Sequence, residues 1–498
     1  MHKTILIYTL FFTFMLSSIT SCGEGFLERY PRASIADDEA LRSIRGIEST
    51  LAGLYNRMQS GQYNHREMNL VGELLADQMG IAQSNSGRLV YHPFNREGSG
   101  FGVWDQLYND INRINMILHY IDRVTDASEE RINIAKAEAF AMRAHIYFDL
   151  LRIYSRPYLH QTPLVQGEPL GVVYRTSPFL GIDEHTFQGR GTIEEGYQLV
   201  LDDFQKSLDY FTNDLSNFPY RFNYIVVKAN LARVYLYMGN WEEATYYAEK
   251  VIDEAPVSLV NAQDGGEYIQ RVFANAPGEE SIFELGFAGG DDRPAMGTSV
   301  GGLAYFNFEE GRGYGDVILR QNLVNLLIDY DNKGDVRGKE GDADGGGTYF
   351  YETKAGQTVP FQLKYAGYRD GRHWDDIKVI RIAEMYLIAA EAYTELEEYD
   401  DARTFLNELR EHRNGPDVEV NDNKEDFIDL ILTERRVEFF SEMSHRWFDL
   451  RRRGMNIPKG IPGVDQGSPL NFEDYRVVDR IPPSEISVNV NIIQNPGY

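Results

Sequence analysis

Hydrophobic and polar positions alternate with helical spacing over much of the chain, and the clearest stretch lies between residues 131 and 154. One apolar stripe recurs there every three or four residues, at Phe140, Ala144, Tyr147, Leu151 and Tyr154. This is the period of a helix packed along one face. Pro157 cannot continue a helix, so the pattern predicts an end near Arg156. Similar periodicity begins near Asp37, and the whole pattern predicts a mainly helical protein.

Two distant segments share one pattern of small and aromatic residues. The same residue types recur at the same spacing, first as Ala232, Tyr235, Trp241 and Ala244, and then as Ala390, Tyr393, Tyr399 and Ala402. A turn is predicted in the middle of each segment, at residues 239–240 and 396–398. Small residues that let antiparallel helices approach closely are typical of tetratricopeptide units. The alternative is a pair of unrelated amphipathic hairpins.

The amino terminus has the features of an exported protein. An apolar run at residues 5–16 is too short to span a bilayer stably and predicts a signal peptide. Small residues then lead to Cys22, the single cysteine of the chain. This order resembles a bacterial lipobox, in which the cysteine is acylated, although an ordinary signal peptide is the alternative. No later run is long enough to span a membrane, which predicts a mature chain tethered by its lipid alone.

Composition narrows the functional classes. The 498 residues include 49 Lys and Arg against 76 Asp and Glu, which gives a formal net charge of −27. So negative a chain is repelled by nucleic acid and by anionic lipid. The lone cysteine excludes a disulfide framework and the common cysteine zinc sites.

The sequence contains motifs that resemble catalytic and metal sites, but their contexts do not support them. Residues 297–301 fit G-x-S-x-G, yet a nucleophile elbow needs a strand before the serine and a helix after it, and loop is predicted on both sides. Residues 329–340 fit part of an EF-hand loop, but Lys333 stands where an oxygen ligand is needed. The ten histidines include neither HExxH nor a pair at helical spacing. We therefore expect no catalytic residues, no metal and no cofactor.

A glycine-rich segment interrupts the helical pattern. Residues 286–347 contain 15 of the 45 glycines, a density that opposes regular helix. Aromatic residues are frequent in the same segment and in its continuation to Trp374. Because binding residues are commonly carried on loops held by a rigid scaffold, we interpret this segment as a binding surface.

Several short motifs stand in a defined order along the chain. They are Cys22 with residues 26–31; Trp104, Tyr108, Ile111 and Asn115; residues 137–139 with 143–144 and 147–148; residues 383–387 with 390–392; residues 434–436 with 446–451; and residues 481–486 with 494–498. This ordered set resembles the SusD/RagB family of Bacteroidetes outer-membrane lipoproteins. His145 and Ile146 depart from the family, which usually has aromatic residues there. Each motif alone is weak, whereas the ordered set is specific.

The resemblance implies a tetratricopeptide-like helical scaffold with an irregular, loop-rich second lobe. Residues 1–21 would be the signal peptide and residues 22–498 a single SusD-like domain. The scaffold would occupy residues 36–255 and 376–455, the ligand-binding lobe residues 256–375, and an extended segment residues 456–498. The family further implies a lipid-anchored protein of the outer membrane, at the cell surface. Such a protein binds oligosaccharides or peptides without catalysis and delivers them to a SusC-like TonB-dependent transporter for nutrient uptake.

Ligand residues are expected on two loops that converge. One loop follows residues 69–79 and supplies Asn85, Arg88, Tyr91 and Phe94; the glycine-rich lobe supplies Tyr305, Phe308, Tyr314, Tyr368 and Trp374. Aromatic rings suit sugars because the C–H faces of a sugar stack on them, while polar side chains satisfy the hydroxyls. Trp374 is the first choice, since charged and polar residues surround it at positions 372–376. The simpler alternative is that these rings only pack the lobe.

Two other functions remain open from the sequence. One is peptide binding by the same loops. The other is a surface glycan hydrolase, which needs two carboxylates about 5–9 Å apart on either side of one sugar. Glu309 and Glu310, or Asp375 and Asp376, could supply half of such a pair.

The arginine-rich stretch at residues 446–453 is expected to be part of the scaffold, with its positive charges paired to the surplus Asp and Glu residues.

Overall fold

The computed structural model describes residues 40–161, 169–182, 186–287, 294–368, 374–461 and 466–498, and these form a mainly helical protein. The α-helices are α1 (Ile44–Met58), α2 (Gly72–Leu75), α3 (Trp104–Tyr120), α4 (Glu129–Tyr154), α5 (Ile193–Tyr210), α6 (Tyr224–Met238), α7 (Trp241–Glu254), α8 (Gly265–Ile269), α9 (Val300–Ala304), α10 (Gln321–Asp331), α11 (Ile382–Glu395), α12 (Tyr399–Glu411), α13 (Lys424–Glu438), α14 (His445–Arg452) and α15 (Pro483–Val488). This architecture confirms the predicted fold class. The predicted signal peptide and Cys22 lie outside the described residues.

Short strands form three antiparallel pairs within the described residues. β1 (Met79–Ile81) pairs with β3 (Val317–Leu319), β2 (Ser281–Leu285) with β6 (Ile377–Arg381), and β4 (Tyr349–Lys354) with β5 (Gln357–Gln362). The first two pairs join segments that are far apart in sequence, so they fix the glycine-rich lobe to the helical scaffold. Across the same described ranges, we find no helix both long and apolar enough to cross a membrane.

Both repeats predicted from residue spacing are helical hairpins. α6 and α7 form the first hairpin, and α11 and α12 form the second. The four alanines of the pattern, at positions 232, 244, 390 and 402, have no exposed surface. The turns also correspond, because Gly239 (φ 70°) and Glu397 (φ 65°) are equivalent positions with the same left-handed conformation. α7 packs against α11, which joins the two hairpins into one scaffold.

Ala390→Trp is expected to destabilise this scaffold. Ala390 is fully buried within the second hairpin, and an indole there would force packed helices apart at a cost of about 1–3 kcal/mol. Chemical denaturation measures the loss, with Ala52→Trp on the exposed face of α1 as the control. Equal unfolding midpoints for the two variants would contradict the packing described here.

α4 is buried more completely than its apolar stripe indicated. Every residue from 141 to 154 is buried, including Arg143, Asp149 and Arg152. Arg143 Nε lies 2.7 Å from Asp203 Oδ2, and Arg152 Nη2 lies 2.7 Å from Asp149 Oδ1. Buried charges are tolerated when they are paired and hydrogen-bonded. The helix ends at Tyr154, close to the position that Pro157 predicted.

A cluster of buried charged residues connects the helices of the carboxy-terminal half. We call it the ionic core, and its members are Glu280, Arg337, Lys364, Arg381, Arg413, Glu434, Glu438 and Glu442. Glu438 Oε1 lies 2.7 Å from Arg381 Nη1 and 3.0 Å from Arg413 Nη2, and its Oε2 lies 3.2 Å from Arg337 Nη1. Burial alone would raise the pKa of Glu438, but these three guanidiniums outweigh it and hold the pKa well below its usual range.

The arginine-rich stretch at residues 446–453 belongs to the scaffold, as predicted. Arg446, Arg452 and Arg453 pair with Asp77, Glu391 and Glu395, respectively. Arg451 instead donates hydrogen bonds to the backbone carbonyls of Arg152 and Ser155. These arginines therefore form ion pairs and hydrogen bonds within the protein.

Two local expectations differ from the structure. Loop was predicted after Ser299, but α9 begins directly there, because the buried Ser299 Oγ caps it by accepting the Gly302 N–H at 3.0 Å. Residues 294–299 contain no strand, so the elbow geometry of a nucleophilic serine is not formed there. The carboxy-terminal segment, expected to be extended, contains α15.

Candidate ligand-binding surface

The pairing of β1 with β3 brings two distant loops together. Met79, Gly80 and Ile81 lie opposite Leu319, Ile318 and Val317. The loop at residues 82–95 follows β1, and the loop at residues 305–316 precedes β3. Because the strands are antiparallel, both loops lie at the same end of the strand pair. The Ala82 N–H extends the pairing by donating to the Asp316 carbonyl at 2.9 Å. The two predicted ligand loops thus converge.

Asp316 and Lys354 fix both loops. The buried Asp316 carboxylate accepts hydrogen bonds from the Ser86 N–H, at 2.9 Å, and from the Ser86 hydroxyl. Lys354 Nζ lies 3.7 Å from that carboxylate and donates to the carbonyls of Tyr314 and Gly315 at 2.5 and 2.7 Å. Burial lowers the pKa of Lys354, and the neighbouring Asp316 opposes this shift. One ion pair therefore sets the position of two loops at once.

Arg88 and Tyr314 make the direct contact between the loops. The guanidinium carbon of Arg88 lies 4.8 Å from the centre of the Tyr314 ring, a cation–π geometry. Arg88 Nη1 also donates to Ser86 Oγ at 2.6 Å, which orients the guanidinium. Tyr314 remains 39% exposed. Its neighbours Gly313 (φ 75°) and Gly315 (φ 57°) adopt left-handed conformations, which explains why glycine is needed on both sides of this ring.

Three further predicted rings are exposed on the same two loops. Phe308 lies at the tip of a turn closed by backbone hydrogen bonds between Asn307 and Arg312, and 72% of it is exposed. Tyr91 and Phe94 are also exposed, on the first loop. We call the set of Arg88, Tyr91, Phe94, Phe308 and Tyr314 the aromatic face.

Arg96 is a polar neighbour of the aromatic face that the sequence analysis missed. Its guanidinium carbon lies 4.6 Å from the Tyr91 ring centre and 5.9 Å from the Phe94 ring centre. The signal available in the sequence was an arginine that closely follows two aromatic residues. The surface therefore combines exposed rings with guanidiniums held against them.

Comparison with known proteins identifies the family. Residues 348–498 match a family model described as "SusD family", and residues 25–236 match one described as "Starch-binding associating with outer membrane". The chain belongs to the SusD family.

Several SusD relatives resemble the chain along nearly its whole length. SusD-like protein P38 of Formosa agariphila is 24% identical over 91% of this chain and 92% of its own, and SusD-like protein P2 of the same organism is 23% identical over 98% and 99%. A solved SusD superfamily structure from Bacteroides vulgatus is 25% identical, with a TM-score of 0.76 over 92% of this chain and 99% of that one. Another Bacteroides vulgatus structure, provisionally named as a sugar-binding protein, is 26% identical, with a TM-score of 0.74 over the same shares.

Two predicted ligand residues of this SusD family member, Trp374 and Tyr305, lie inside the protein, and a third, Tyr368, is partly covered. Trp374 is 3% exposed, and its ring meets the Phe287 ring edge-on at 6.2 Å. Tyr305 is 2% exposed and donates to the Ala343 carbonyl at 2.9 Å. Tyr368 is half-buried, and its hydroxyl donates to the Leu363 carbonyl. Burial raises the pKa of both tyrosines.

These positions correct the expectation that Trp374 is the sugar platform. A ring packed inside the lobe offers no free face on which a sugar can stack. Trp374 lies three positions before the start of the buried strand β6, which pairs with β2 and draws the chain into the core. Trp374 and Tyr305 therefore pack the interior of the lobe, which was the simpler alternative for these rings.

Asn85 shapes its own loop. Its Nδ2 donates to the Ala82 carbonyl at 2.8 Å, and its Oδ1 accepts the Gly87 N–H at 2.9 Å. The amide nitrogen and the amide oxygen therefore both form hydrogen bonds within local turns. Of the two polar residues predicted on this loop, Arg88 is the one placed against an exposed ring.

Three of the four carboxylates considered for glycan hydrolysis, Asp375, Asp376 and Glu310, contact their own or neighbouring loops, while Glu309 is exposed. The buried Asp375 accepts the N–H groups of Gly367 and Tyr368 at 2.7 and 2.9 Å, and burial raises its pKa to about 6. Asp376 accepts the Phe287 N–H at 2.9 Å. Glu310 forms an ion pair with Arg312. Within the described ranges, no group of three or more His, Cys, Asp or Glu residues is placed to hold a metal ion.

Proposed function

We propose that this chain is a non-catalytic, lipid-anchored cell-surface protein that binds oligosaccharides and delivers them to a SusC-like TonB-dependent transporter in the outer membrane. The observation that carries the proposal is the aromatic face, whose exposed rings and guanidiniums lie on two loops joined by the β1–β3 pair. The family model described as starch-binding and associating with the outer membrane supports the same function. The provisional sugar-binding name of the 26% identical relative also supports it.

The chemistry of the aromatic face suits sugars. The exposed rings of Tyr314, Phe308 and Tyr91 offer apolar surfaces to the C–H faces of a sugar. Arg88 carries several N–H donors that can reach hydroxyl oxygens at the edge of a stacked sugar. A platform that is fixed before the ligand arrives lowers the entropic cost of binding, and the Asp316–Lys354 ion pair provides that fixation.

The burial and hydrogen bonds of Asp375 and Asp376 support a non-catalytic role. A retaining or inverting hydrolase needs two carboxylates that face one sugar across its scissile bond. Asp375 and Asp376 are instead buried and bound to backbone N–H groups. The rings on the exposed loops therefore support binding and transfer rather than hydrolysis.

Tyr314→Ala is expected to weaken oligosaccharide binding by more than tenfold. One stacked anchor and its associated hydrogen bonds contribute about 2 kcal/mol to binding, which corresponds to more than a factor of ten in Kd. The measurement is calorimetric titration with an oligosaccharide that binds the unaltered protein on a glycan array.

The matched control is Tyr246→Ala, which removes an exposed ring from the scaffold helix α7. The control should bind with unaltered affinity, and both variants should keep the melting temperature of the unaltered protein. Equal affinities for Tyr314→Ala and Tyr246→Ala would contradict the proposed binding surface.

A further inference from the structure

A cleft opens beside the aromatic face, between residues 95–105 and the carboxy-terminal segment. Its volume is about 230 Å³, and residues of both segments line it, among them Asn95, Arg96, Trp104, Asp479 and Arg480. Arg96 belongs to both features, because its guanidinium also rests on two rings of the aromatic face. A ligand lying on those rings could therefore extend into the cleft.

Arg96 and Arg480 bring positive charge to this cleft. Both side chains are exposed, and neither forms an ion pair with a carboxylate of the described residues. Arg480 lies against Gly98 (φ 79°), where an added Cβ would stand only 3.0 Å from Arg480 Nη2. The third arginine of the cleft, Arg476, is already paired with Asp474 at 2.7 Å. Two guanidiniums thus remain for an anionic partner.

Two carboxyl groups oppose this positive charge only in part. Asp479 is buried and accepts the Phe101 N–H at 2.5 Å, and burial raises its pKa to about 7. At neutral pH Asp479 is therefore partly protonated, which reduces its repulsion of an anion. Asp105 is the other carboxylate that lines the cleft, and it is exposed to solvent.

The cleft also contains one buried donor and one buried acceptor. Trp104 and Asn95 both line it, and neither Trp104 Nε1 nor Asn95 Oδ1 has a hydrogen-bond partner among the described residues. Both side chains are 2% exposed. Buried polar atoms are nearly always satisfied in folded proteins, by protein, water or ligand. A hydroxyl group can donate to the amide oxygen and accept from the indole N–H.

We propose that this cleft is a subsite for an anionic sugar residue. Arg96 and Arg480 would pair with its carboxylate or sulfate group, and Asn95 and Trp104 would meet its hydroxyls. The inference rests on the proposed oligosaccharide-binding function and deepens it, because it assigns the ligand to the acidic oligosaccharides. The forked donors of arginine match both carboxylate and sulfate oxygens, so the cleft chemistry is shared by these two kinds of anion.

A glycan array that carries neutral, uronate-containing and sulfated oligosaccharides tests the inference. The unaltered protein should bind one of the two acidic classes at least tenfold more tightly than neutral chains of the same length. The class that is bound identifies the anion as carboxylate or sulfate. Raising the salt concentration from 50 to 500 mM should weaken acidic binding markedly, because the pairing is electrostatic at an exposed site.

The double variant Arg96→Gln, Arg480→Gln should lose at least tenfold in affinity for the bound acidic oligosaccharide. Its control is Arg123→Gln, which removes another exposed arginine that rests on a tyrosine ring, at 5.1 Å from Tyr120. All these residues are on the surface, so melting temperatures should not change.

The outcomes separate this inference from the proposed function. Equal binding of neutral and acidic chains, with binding still dependent on Tyr314, would overturn the anionic subsite and leave the proposed function standing. Unchanged acidic binding by the double variant would overturn the subsite as well. Failure to bind any oligosaccharide class would overturn both.

Discussion

Glu438→Gln is expected to lower the free energy of unfolding by about 3–5 kcal/mol, the usual cost of removing one partner from a buried ion pair. Glu438 is fully buried and lies within 3.2 Å of three guanidiniums, those of Arg337, Arg381 and Arg413. A neutral amide would remove the one negative charge that all three guanidiniums share. Their mutual repulsion would then be only partly offset by the remaining carboxylates. The ionic core would then hold an uncompensated charge away from water, which is why the expected loss is large.

Urea denaturation of Glu438→Gln beside Glu411→Gln measures this effect. Glu411 lies exposed at the end of α12, so its substitution should change stability by less than 0.5 kcal/mol, as surface changes usually do. Because the pKa of Glu438 is lowered in the folded state, its contribution is complete above the unfolded pKa of about 4.5 and is lost as the pH falls through the folded value. The two variants should therefore differ most at neutral pH. Equal stability at pH 7 would contradict a structural role for the ionic core.

Cys22→Ala is expected to release the protein from the outer membrane almost completely. Small residues lead to this single cysteine directly after the predicted signal peptide, and acylation there is the predicted anchor. The described residues contain no membrane-spanning helix, and the chain's net charge of −27 disfavours binding to anionic lipid. Removing Cys22 should therefore abolish the predicted attachment to lipid.

Cell fractionation with a high-salt wash measures this redistribution. The unaltered protein should remain with the outer membrane, while Cys22→Ala should appear in the soluble fraction. Ser21→Ala, which keeps the cysteine and a small residue before it, is the control and should remain membrane-bound. Retention of Cys22→Ala in the washed membrane would contradict the lipid anchor.

The parts of the fold that depend on short-range spacing could be predicted from the sequence. The hairpins α6–α7 and α11–α12 follow from small and aromatic residues that recur within about a dozen positions, because helical periodicity is a local property. The convergence of the two ligand loops came from family resemblance, and the pairing of β1 with β3 accounts for it physically.

The exposure of individual rings could not be predicted in the same way. Phe308 and Trp374 both lie in glycine-rich, polar surroundings, yet Phe308 is 72% exposed and Trp374 is 3% exposed. The difference arises from long-range structure, since Trp374 leads into the β2–β6 pair whereas Phe308 stands at a turn tip. Local composition contains no information about that pairing.

Individual buried ion pairs could not be predicted from sequence patterns either. In sequence, Glu384 and Glu391 resemble polar positions of an amphipathic helix, but both are buried in α11 and paired with Arg233 and Arg452. Their partners are far away in the sequence, so no local period marks them. The prediction that the arginines at 446–453 pair with surplus acids succeeded because it relied on overall charge balance rather than on position.

Titration of the mature chain with an oligosaccharide that binds on the array, followed by recovery of that oligosaccharide, tests the proposed function most directly. Saturable binding that Tyr314→Ala weakens more than tenfold, with the recovered oligosaccharide unchanged in mass, is the result predicted for a non-catalytic binding protein. Shortened products, or binding that is indifferent to Tyr314, would contradict it.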